Sequence, residues 1–222
     1  MKVLIFGATG MVGQATLREC LAAPDVEQVT VVGRTPVQQD DAKLQQVHHA
    51  DLMNLQGQES ALSGIDACFF CLGVSSSGLS EEAYRRITYD VTLSVAAFLV
   101  QHNPKMTFVY VSGAGTDSTE QGRSMWARVK GKTENDLQKL PFQSVVLFRP
   151  GIIQPLHGIQ SKTTAYRLFY VLAWPFLTLA RTLFPGMILT TEDIGRAMLN
   201  AARQGEGRHV VEAKELIGLA RR

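Results

Sequence analysis

Little in this chain of 222 residues suggests a disulfide-rich, nucleic-acid-binding or membrane-spanning protein. Its three cysteines are too few for a disulfide framework. The net charge is only +2 and no block of lysine and arginine precedes the final Arg221-Arg222 pair, so we expect no nucleic-acid partner. The apolar run at residues 3–6 is too short for the hydrophobic region of a signal peptide. These features predict a reduced, cytoplasmic setting.

The pair Cys68-x-x-Cys71 is the one cysteine pattern that could bind a metal or carry redox chemistry. It lies in an apolar segment, residues 67–72, that predicts a buried strand. Residues three apart on a strand point to opposite faces, so the two thiols diverge. No second group of cysteine and histidine completes a zinc ligand set. We therefore predict buried structural thiols and no metal site.

Short apolar segments alternate with helical segments over the first 150 residues. The predicted strands are residues 2–6, 28–32, 44–48, 65–72, 106–112 and 144–148. The predicted helices are residues 11–23, 80–101, 124–140 and 192–203. This alternation predicts an α/β fold with a doubly wound parallel sheet, the Rossmann fold. Ligands of such sheets bind outside the carboxyl ends of the strands, where the functional residues are expected.

We predict a single domain, with a dinucleotide-binding core at residues 1–155 and a small C-terminal helical cap at residues 156–222. Residues 166–183 are rich in aromatic and aliphatic side chains, but Arg167, Pro175 and Arg181 interrupt the run, which is too short to cross a bilayer. A helix packed over the carboxyl edge of the sheet is the simpler interpretation. The alternatives are an apolar substrate pocket, a surface for a protein partner, or peripheral membrane contact.

The first strand and the first helix are joined by a Gly-x-x-Gly-x-x-Gly loop. In that context the pattern predicts a pyrophosphate site for a dinucleotide. One glycine makes the tight turn, one lets the backbone approach the pyrophosphate, and one lets the helix pack on the strand. The helix N-terminus favours negative charge. A purely structural turn is the alternative. The cofactor residues predicted here are Gly7, Thr9, Gly10, Met11, Val12 and Gly13.

The end of the second strand indicates which dinucleotide binds. NAD sites carry an acidic residue there to accept hydrogen bonds from the ribose hydroxyls. This chain has Gly33-Arg34-Thr35 instead, and a guanidinium suits a 2′-phosphate. Arg34 therefore predicts NADP(H), with Thr35 as a second donor. An arginine exposed for solubility is the alternative.

Two further pairs follow strands at the same edge. Asp51 and Leu52 follow the third strand, where the carboxylate can accept the adenine amine while the leucine packs on the ring. An aspartate that caps a helix is an equally good interpretation. Leu72 and Gly73 follow the fourth strand, where the backbone must pass close to the adenosine ribose. The glycine permits that approach.

Together these stretches resemble the short-chain dehydrogenase/reductase superfamily. More narrowly, they resemble its atypical, extended-like branch, which includes the NmrA-like and Tat-interacting-protein groups. The matching stretches are residues 3–13, 32–34, 51–52, 72–73 and 109–115, Lys130 with Glu134, and residues 148–151. The resemblance implies a catalytic serine at Ser112, and a lysine at Lys130 that holds the nicotinamide ribose. It also places Pro150 and Gly151 in the loop that passes the nicotinamide.

One residue departs from the family's catalytic set of serine, tyrosine and lysine. Four residues before Lys130, where the family has tyrosine, stands Trp126, and residues 111–165 contain no tyrosine. An indole N–H only donates a hydrogen bond and cannot exchange a proton near neutral pH. Tyr84, Tyr89 and His157 are weaker candidates for the missing acid.

Two functional hypotheses remain open on the sequence. The first is an NADP(H)-dependent oxidoreductase or isomerase that acts on a small apolar substrate without a tyrosine acid, which the retained Ser112 and Lys130 favour. The second is a non-catalytic NADP(H) sensor or assembly protein that acts on a protein partner, which Trp126 favours. The fold by itself does not choose between them.

Overall fold

A computed structural model describes residues 1–159, 188–205 and 207–222. The strands are β1 (Lys2–Phe6), β2 (Gln28–Gly33), β3 (Leu44–His48), β4 (Ala67–Phe70), β5 (Thr107–Val111), β6 (Ser144–Arg149), β7 (Ile153–Gln154), β8 (Leu189–Thr190) and β9 (Gly207–Glu212). The helices are α1 (Met11–Ala22), α2 (Glu81–Arg85), α3 (Val91–His102), α4 (Met125–Leu137), α5 (Thr191–Gln204) and α6 (Ala213–Ala220).

Seven strands form one parallel sheet in the order β3-β2-β1-β4-β5-β6-β9. The order reverses between β1 and β4, which is where ligands of doubly wound sheets bind. This arrangement confirms the predicted Rossmann fold. A second, two-stranded sheet pairs β7 with β8. The sheet therefore places the ends of β1, β2, β4 and β5 around one crevice.

Alternate residues of each strand enter two separate cores, one on each face of the sheet. On β1, Val3 and Ile5 pack on the face covered by α1, α5 and α6, whereas Leu4 and Phe6 pack on the face covered by α3 and α4. Burial on both faces explains why the central strands are continuously apolar. The two thiols diverge as predicted, because Cys68 belongs to the second core and Cys71 packs against the first.

The described C-terminal residues, 188–205 and 207–222, extend the layers of the fold. The strand β9 extends the main sheet beside β6, and α5 packs closely on α1. A Cβ on Gly195 of α5 would lie 2.8 Å from the backbone oxygen of Ala15 on α1. Residues 191–222 thus belong to the same layers as residues 1–155. The segment 166–183, where we predicted a helix over the sheet, lies outside the described residues.

The helix predicted from Ser80 begins as expected but is not regular. The Ser80 side chain accepts a hydrogen bond from the backbone N–H of Ala83 and so caps α2. A π-helical turn, Arg86–Asp90, then joins α2 to α3. No helix in the described part of the chain is long and apolar enough to cross a membrane.

Candidate dinucleotide site at the carboxyl edge of the sheet

The three glycines of the first loop have the three environments that a dinucleotide loop requires. Gly7 has a φ of +80°, which favours glycine. A Cβ on Gly13 would lie 2.1 Å from the carbonyl oxygen of Gly7, so only glycine lets α1 approach β1 this closely. A Cβ on Gly10 would make only an ordinary van der Waals contact, 3.4 Å from the carbonyl oxygen of Gly7. The backbone is therefore closely packed where the loop meets β1 and α1, and accessible on the side of Gly10.

The N-terminus of α1 carries no side-chain cap. Gly10 is the N-cap residue and has no side chain with which to accept a hydrogen bond from the first turn. By contrast, α5 carries a capping box in which Thr190 and Asp193 satisfy each other's backbone amides. An uncapped helix start behind an open glycine loop is a ready anion site. Residues Met11 and Val12 are half-buried there against the core.

A cleft with an empty volume of about 690 Å³ lies beside this loop, at the ends of β1 and β2. Five of the predicted cofactor residues line it: Gly7, Thr9, Arg34, Leu52 and Leu72. Its walls otherwise come from β2, β3 and the loop after β2, and none of its described lining residues is an aspartate or glutamate.

Arg34 is exposed on this cleft. Its backbone oxygen lies 2.8 Å from Nε2 of His48, which ties the loop after β2 to the end of β3. Its guanidinium forms no salt bridge with any residue in the part of the chain that the structure describes. The cleft therefore contains a cation that no carboxylate of residues 1–159, 188–205 or 207–222 neutralises.

The remaining adenosine-side predictions fall at the same edge. A Cβ on Gly73 would meet nothing within 4 Å, so the chain leaves space beside this residue. Asp51 is exposed, and its Oδ1 accepts a hydrogen bond from the backbone N–H of Met53, 3.0 Å away. That bond closes a turn, as in the capping interpretation. Asp51 does not line the cleft, and its contact with adenine stays a prediction.

Ser112 lies at the end of β5, but its hydroxyl is already engaged. Its Oγ donates to Oε1 of Glu134, 2.5 Å away, and lies 3.0 Å from the carbonyl oxygen of Phe148. Glu134 in turn forms a buried ion pair with Arg149, whose Nε and Nη2 both donate to the carboxylate. This network ties α4 to the ends of β5 and β6. The sequence alone does not reveal it, since its three members are separated by 15 and 22 residues.

Lys130 lies on α4, one turn before Glu134, and is half-buried over the end of β5. Its Nζ donates to the carbonyl oxygen of Ser112 at 2.8 Å and lies 5.6 Å from the centre of the Tyr110 ring. Burial lowers the pKa of Lys130 from 10.5 to about 8, against an opposing effect of the Glu134 charge. The amine can therefore exchange a proton close to neutral pH.

Trp126 packs against the loop that follows β5. The nearest indole atoms lie 4.0 Å and 3.6 Å from the positions that Cβ atoms would take on Gly113 and Gly115. The ring therefore covers this loop on the side of α4 that also carries Lys130. None of the three weaker candidates replaces the missing tyrosine hydroxyl directly: Tyr84 is buried, Tyr89 donates to Asp136, and His157 pairs with Glu192.

The loop after β6 is held beside these residues. The carbonyl oxygen of Pro150 accepts a hydrogen bond from the backbone N–H of Ala114, 2.9 Å away. A Cβ on Gly151 would lie 3.8 Å from Cβ of Ala213, the first residue of α6. The two loops that follow β5 and β6 are thereby joined. Within the described residues, no group of three or more metal-ligating side chains is found.

Comparison with known proteins also indicates a dinucleotide-binding domain in the N-terminal two thirds of the chain. Residues 7–151 match the profile of a family described as NAD(P)H-binding. A mitochondrial fmp52 protein of Emericella nidulans is 28% identical over 207 residues, which cover 90% of this chain and 86% of the fungal protein. A mitochondrial fmp52-1 protein of Aspergillus terreus is 31% identical over 158 residues, which cover 68% of this chain and 66% of its own. Protein HTATIP2 of Rattus norvegicus is 28% identical over 154 residues, and this chain spans 62% of the rat protein.

Among solved structures, a UDP-N-acetylglucosamine 4-epimerase from Methanobrevibacter ruminantium superimposes with a TM-score of 0.70 at 15% identity, covering 95% of this chain and 75% of its own. MoeE5 in complex with UDP-glucose and NAD gives a TM-score of 0.68 at 17% identity, covering 99% of this chain and 81% of its own. Similarity at this level of identity concerns the fold alone.

These comparisons correct one prediction and confirm another. The expected cytoplasmic location is wrong, because several fungal relatives are named mitochondrial proteins. The prediction failed because it relied only on the short apolar run at residues 3–6 and on the few cysteines. The family resemblance is confirmed. The chain belongs to the NAD(P)H-binding family, within the atypical short-chain dehydrogenase/reductase group that includes the HTATIP2 and FMP52 proteins.

Proposed function

We propose that this protein is an NADP(H)-dependent oxidoreductase or isomerase that acts on a small apolar substrate without a tyrosine acid. One observation carries the choice of cofactor. The cleft at the end of β2 presents the guanidinium of Arg34, which pairs with no carboxylate of the described residues, and no described carboxylate lines the cleft. A 2′-phosphate is attracted by such a surface, whereas the ribose diol of NAD finds no acidic partner there.

The glycine loop fits the pyrophosphate of this cofactor. Gly10 has no Cβ to approach a ligand, and as the N-cap residue of α1 it has no side chain that would occupy the amides of the first turn. We propose Gly7, Thr9, Gly10, Met11, Val12 and Gly13 for the pyrophosphate, Asp51, Leu52, Leu72 and Gly73 for the adenosine, and Lys130, Pro150 and Gly151 for the nicotinamide half. When bound, the reduced nicotinamide supplies a hydride.

Lys130 is the group that we propose as the proton donor. Its Nζ lies at the end of β5, and its lowered pKa of about 8 keeps it protonated near neutral pH while making proton release easier. The proton would pass from Nζ to the oxygen of a carbonyl substrate, and solvent would restore it. The hydroxyl of Ser112 already donates its hydrogen bond to Glu134, so its oxygen can only accept another. We propose that it contacts a donor group of the substrate, such as the hydroxyl of the alcohol form.

The edge of the sheet also fits an apolar substrate. Three large apolar side chains of the described residues are strongly exposed: Met53 (44%), Val74 (42%) and Ile152 (51%). They follow β3, β4 and β6, so all three lie at the carboxyl edge. Val74 and Ile152 follow β4 and β6, which only β5 separates, and these two residues support an apolar substrate, whereas Met53 follows β3 at the far side of the sheet.

A non-catalytic NADP(H) sensor is the second candidate, and two specific observations favour it. Trp126 takes the place of the tyrosine, and the hydroxyl of Ser112 is engaged by Glu134. Under this proposal the protein binds the dinucleotide, and its affinity for a protein partner depends on whether the dinucleotide is bound. Turnover of the bound cofactor distinguishes the two candidates.

The test is NADPH oxidation with a panel of small apolar aldehydes and ketones, followed at saturating NADPH. Lys130→Met is expected to lower kcat by roughly 100-fold or more, the usual contribution of a general acid. In the unmodified protein, kcat should fall as the pH rises through about 8, because Lys130 then loses the proton that it donates.

The matched control is Lys105→Met, which removes an exposed lysine at the opposite edge of the sheet and should leave kcat unchanged. Turnover that survives in Lys130→Met would contradict the assigned proton donor. Tight NADPH binding without turnover on any carbonyl in the panel would favour the sensor.

A further inference from the structure

A second cleft opens beside the first, with an empty volume of about 1200 Å³. Arg18 and Gln14 of α1 form one wall, and the loop after β2, residues 35–39, forms the other. Five residues line both clefts: Ala8, Thr9, Thr35, Pro36 and Val37. As in the first cleft, none of the described lining residues is acidic. The two arginines therefore lie in adjoining clefts that share the Thr35 wall.

Arg18 is held only loosely by the protein. Its side chain is 45% exposed, and its Nη1 donates to Oε1 of Glu19, the next residue, at 2.7 Å. The pair is exposed on the Arg18 side, whereas the Glu19 side chain is only 12% exposed. Glu19 also has another cation available, because Nε of Arg196 lies 3.4 Å from its Oε2. Arg18 can therefore leave Glu19 without leaving that carboxylate unpaired.

We infer that Arg18 is a second anchor for the 2′-phosphate, acting from α1 while Arg34 acts from the end of β2. The inference rests on the proposed NADP(H) binding and adds a residue that selects the phosphorylated cofactor. A phosphate monoester carries close to two negative charges near neutral pH, so two cations in adjoining clefts match it better than one. The shared wall also offers the hydroxyl of Thr35.

Because Glu19 and the phosphate compete for Arg18, the inference predicts the direction in which a change at Glu19 alters phosphate affinity. When Arg18 binds the phosphate, it gives up its contact with Glu19. Removing the Glu19 charge should therefore strengthen binding of the phosphate. A residue that only maintains the shape of the protein would not strengthen binding when it is replaced.

The experiment compares two probes that differ only in the 2′-phosphate, adenosine 2′,5′-bisphosphate and adenosine 5′-monophosphate, by isothermal titration calorimetry. Arg18→Ala is expected to weaken binding of the bisphosphate by about tenfold, because one charge-assisted hydrogen bond is lost. The affinity for the monophosphate should change by less than about twofold. Glu19→Gln is expected to raise the affinity for the bisphosphate and to leave the affinity for the monophosphate unchanged. Lys105→Ala removes a positive charge at the far edge of the sheet and controls for the overall field.

The outcomes separate this inference from the function on which it rests. If Arg34→Ala removes the advantage of the bisphosphate while Arg18→Ala and Glu19→Gln leave it unchanged, the role of Arg18 is overturned and NADP(H) binding stands. If the unmodified protein binds both probes equally, both proposals fail. Melting temperatures of all variants show whether any loss reflects unfolding.

Discussion

Gly13→Ala is expected to abolish NADPH binding and to destabilise the protein, whereas Gly10→Ala is expected to abolish binding alone. A Cβ on Gly13 would lie 2.1 Å from the carbonyl oxygen of Gly7, and 2.7 Å from its carbonyl carbon. Backbone atoms cannot turn away as a side chain can, so α1 must move off β1. Overpacking of this kind costs typically about 1–3 kcal/mol.

Gly10 differs because its surroundings are open. A Cβ there meets nothing closer than 3.4 Å, and its φ of −82° suits alanine. The added methyl group instead occupies the space that we assign to the pyrophosphate. Loss of two or three hydrogen bonds to a charged group, each contributing about 1.5–3 kcal/mol, predicts a loss of affinity of roughly 100-fold or more.

Urea denaturation and fluorescence titration with NADPH measure the two effects separately. The expected pattern is a lowered urea midpoint for Gly13→Ala only, and lost binding for both variants. Gly218→Ala is the control, because this exposed glycine of α6 has nothing within 4 Å of its Cβ position. Gly10→Ala protein that binds NADPH normally would show that the pyrophosphate lies elsewhere.

The second large effect is on stability, and it comes from Glu134. Its carboxylate is 1% exposed and accepts hydrogen bonds from both Arg149 and Ser112. Glu134→Gln removes the charge and leaves the guanidinium of Arg149 beneath the surface with a weaker partner. Breaking a buried pair typically costs about 3–5 kcal/mol. We expect the lower end of that range, because Arg149 also contacts Glu212 and Ser118.

A double variant separates the cost of the unpaired charge from the loss of packing. Glu134→Gln with Arg149→Met removes both charges and should recover part of the stability lost in the single variant. The charge control is Glu82→Gln, at an exposed position in the first turn of α2. If Glu134→Gln unfolds at the same urea concentration as Glu82→Gln, the network does not stabilise the fold as described.

The Rossmann core could be predicted from the sequence because its determinants are local. The glycine loop, the apolar strands and the Ser80 cap each act within a few residues, and the structure contains all of them. The strand β9 was missed because Gly207, Arg208 and His209 do not follow a buried apolar pattern. That strand lies at the sheet edge beside β6, where burial is less demanding.

Only part of the candidate site could be predicted from the sequence, because some of its contacts are local and others are long-range. The position of Arg34 at the end of β2 could be predicted because it follows from the chain order alone. The engagement of Ser112 by Glu134 and Arg149 depends on how α4 lies across β5 and β6, which no spacing encodes. The position of Arg18 beside the loop after β2 likewise required the packed structure. Long-range contacts of this kind decide what each side chain is free to do.

Cofactor preference is the most direct test of the whole account. Purified protein should be titrated with NADPH and with NADH, following tryptophan fluorescence and energy transfer to the nicotinamide, and the titrations repeated with Arg34→Ala. The account predicts tighter binding of NADPH in the unmodified protein, and a preference that disappears in the variant because the affinity for NADPH falls toward that for NADH. Equal affinity for the two cofactors in the unmodified protein, or an undiminished preference in Arg34→Ala, would contradict it.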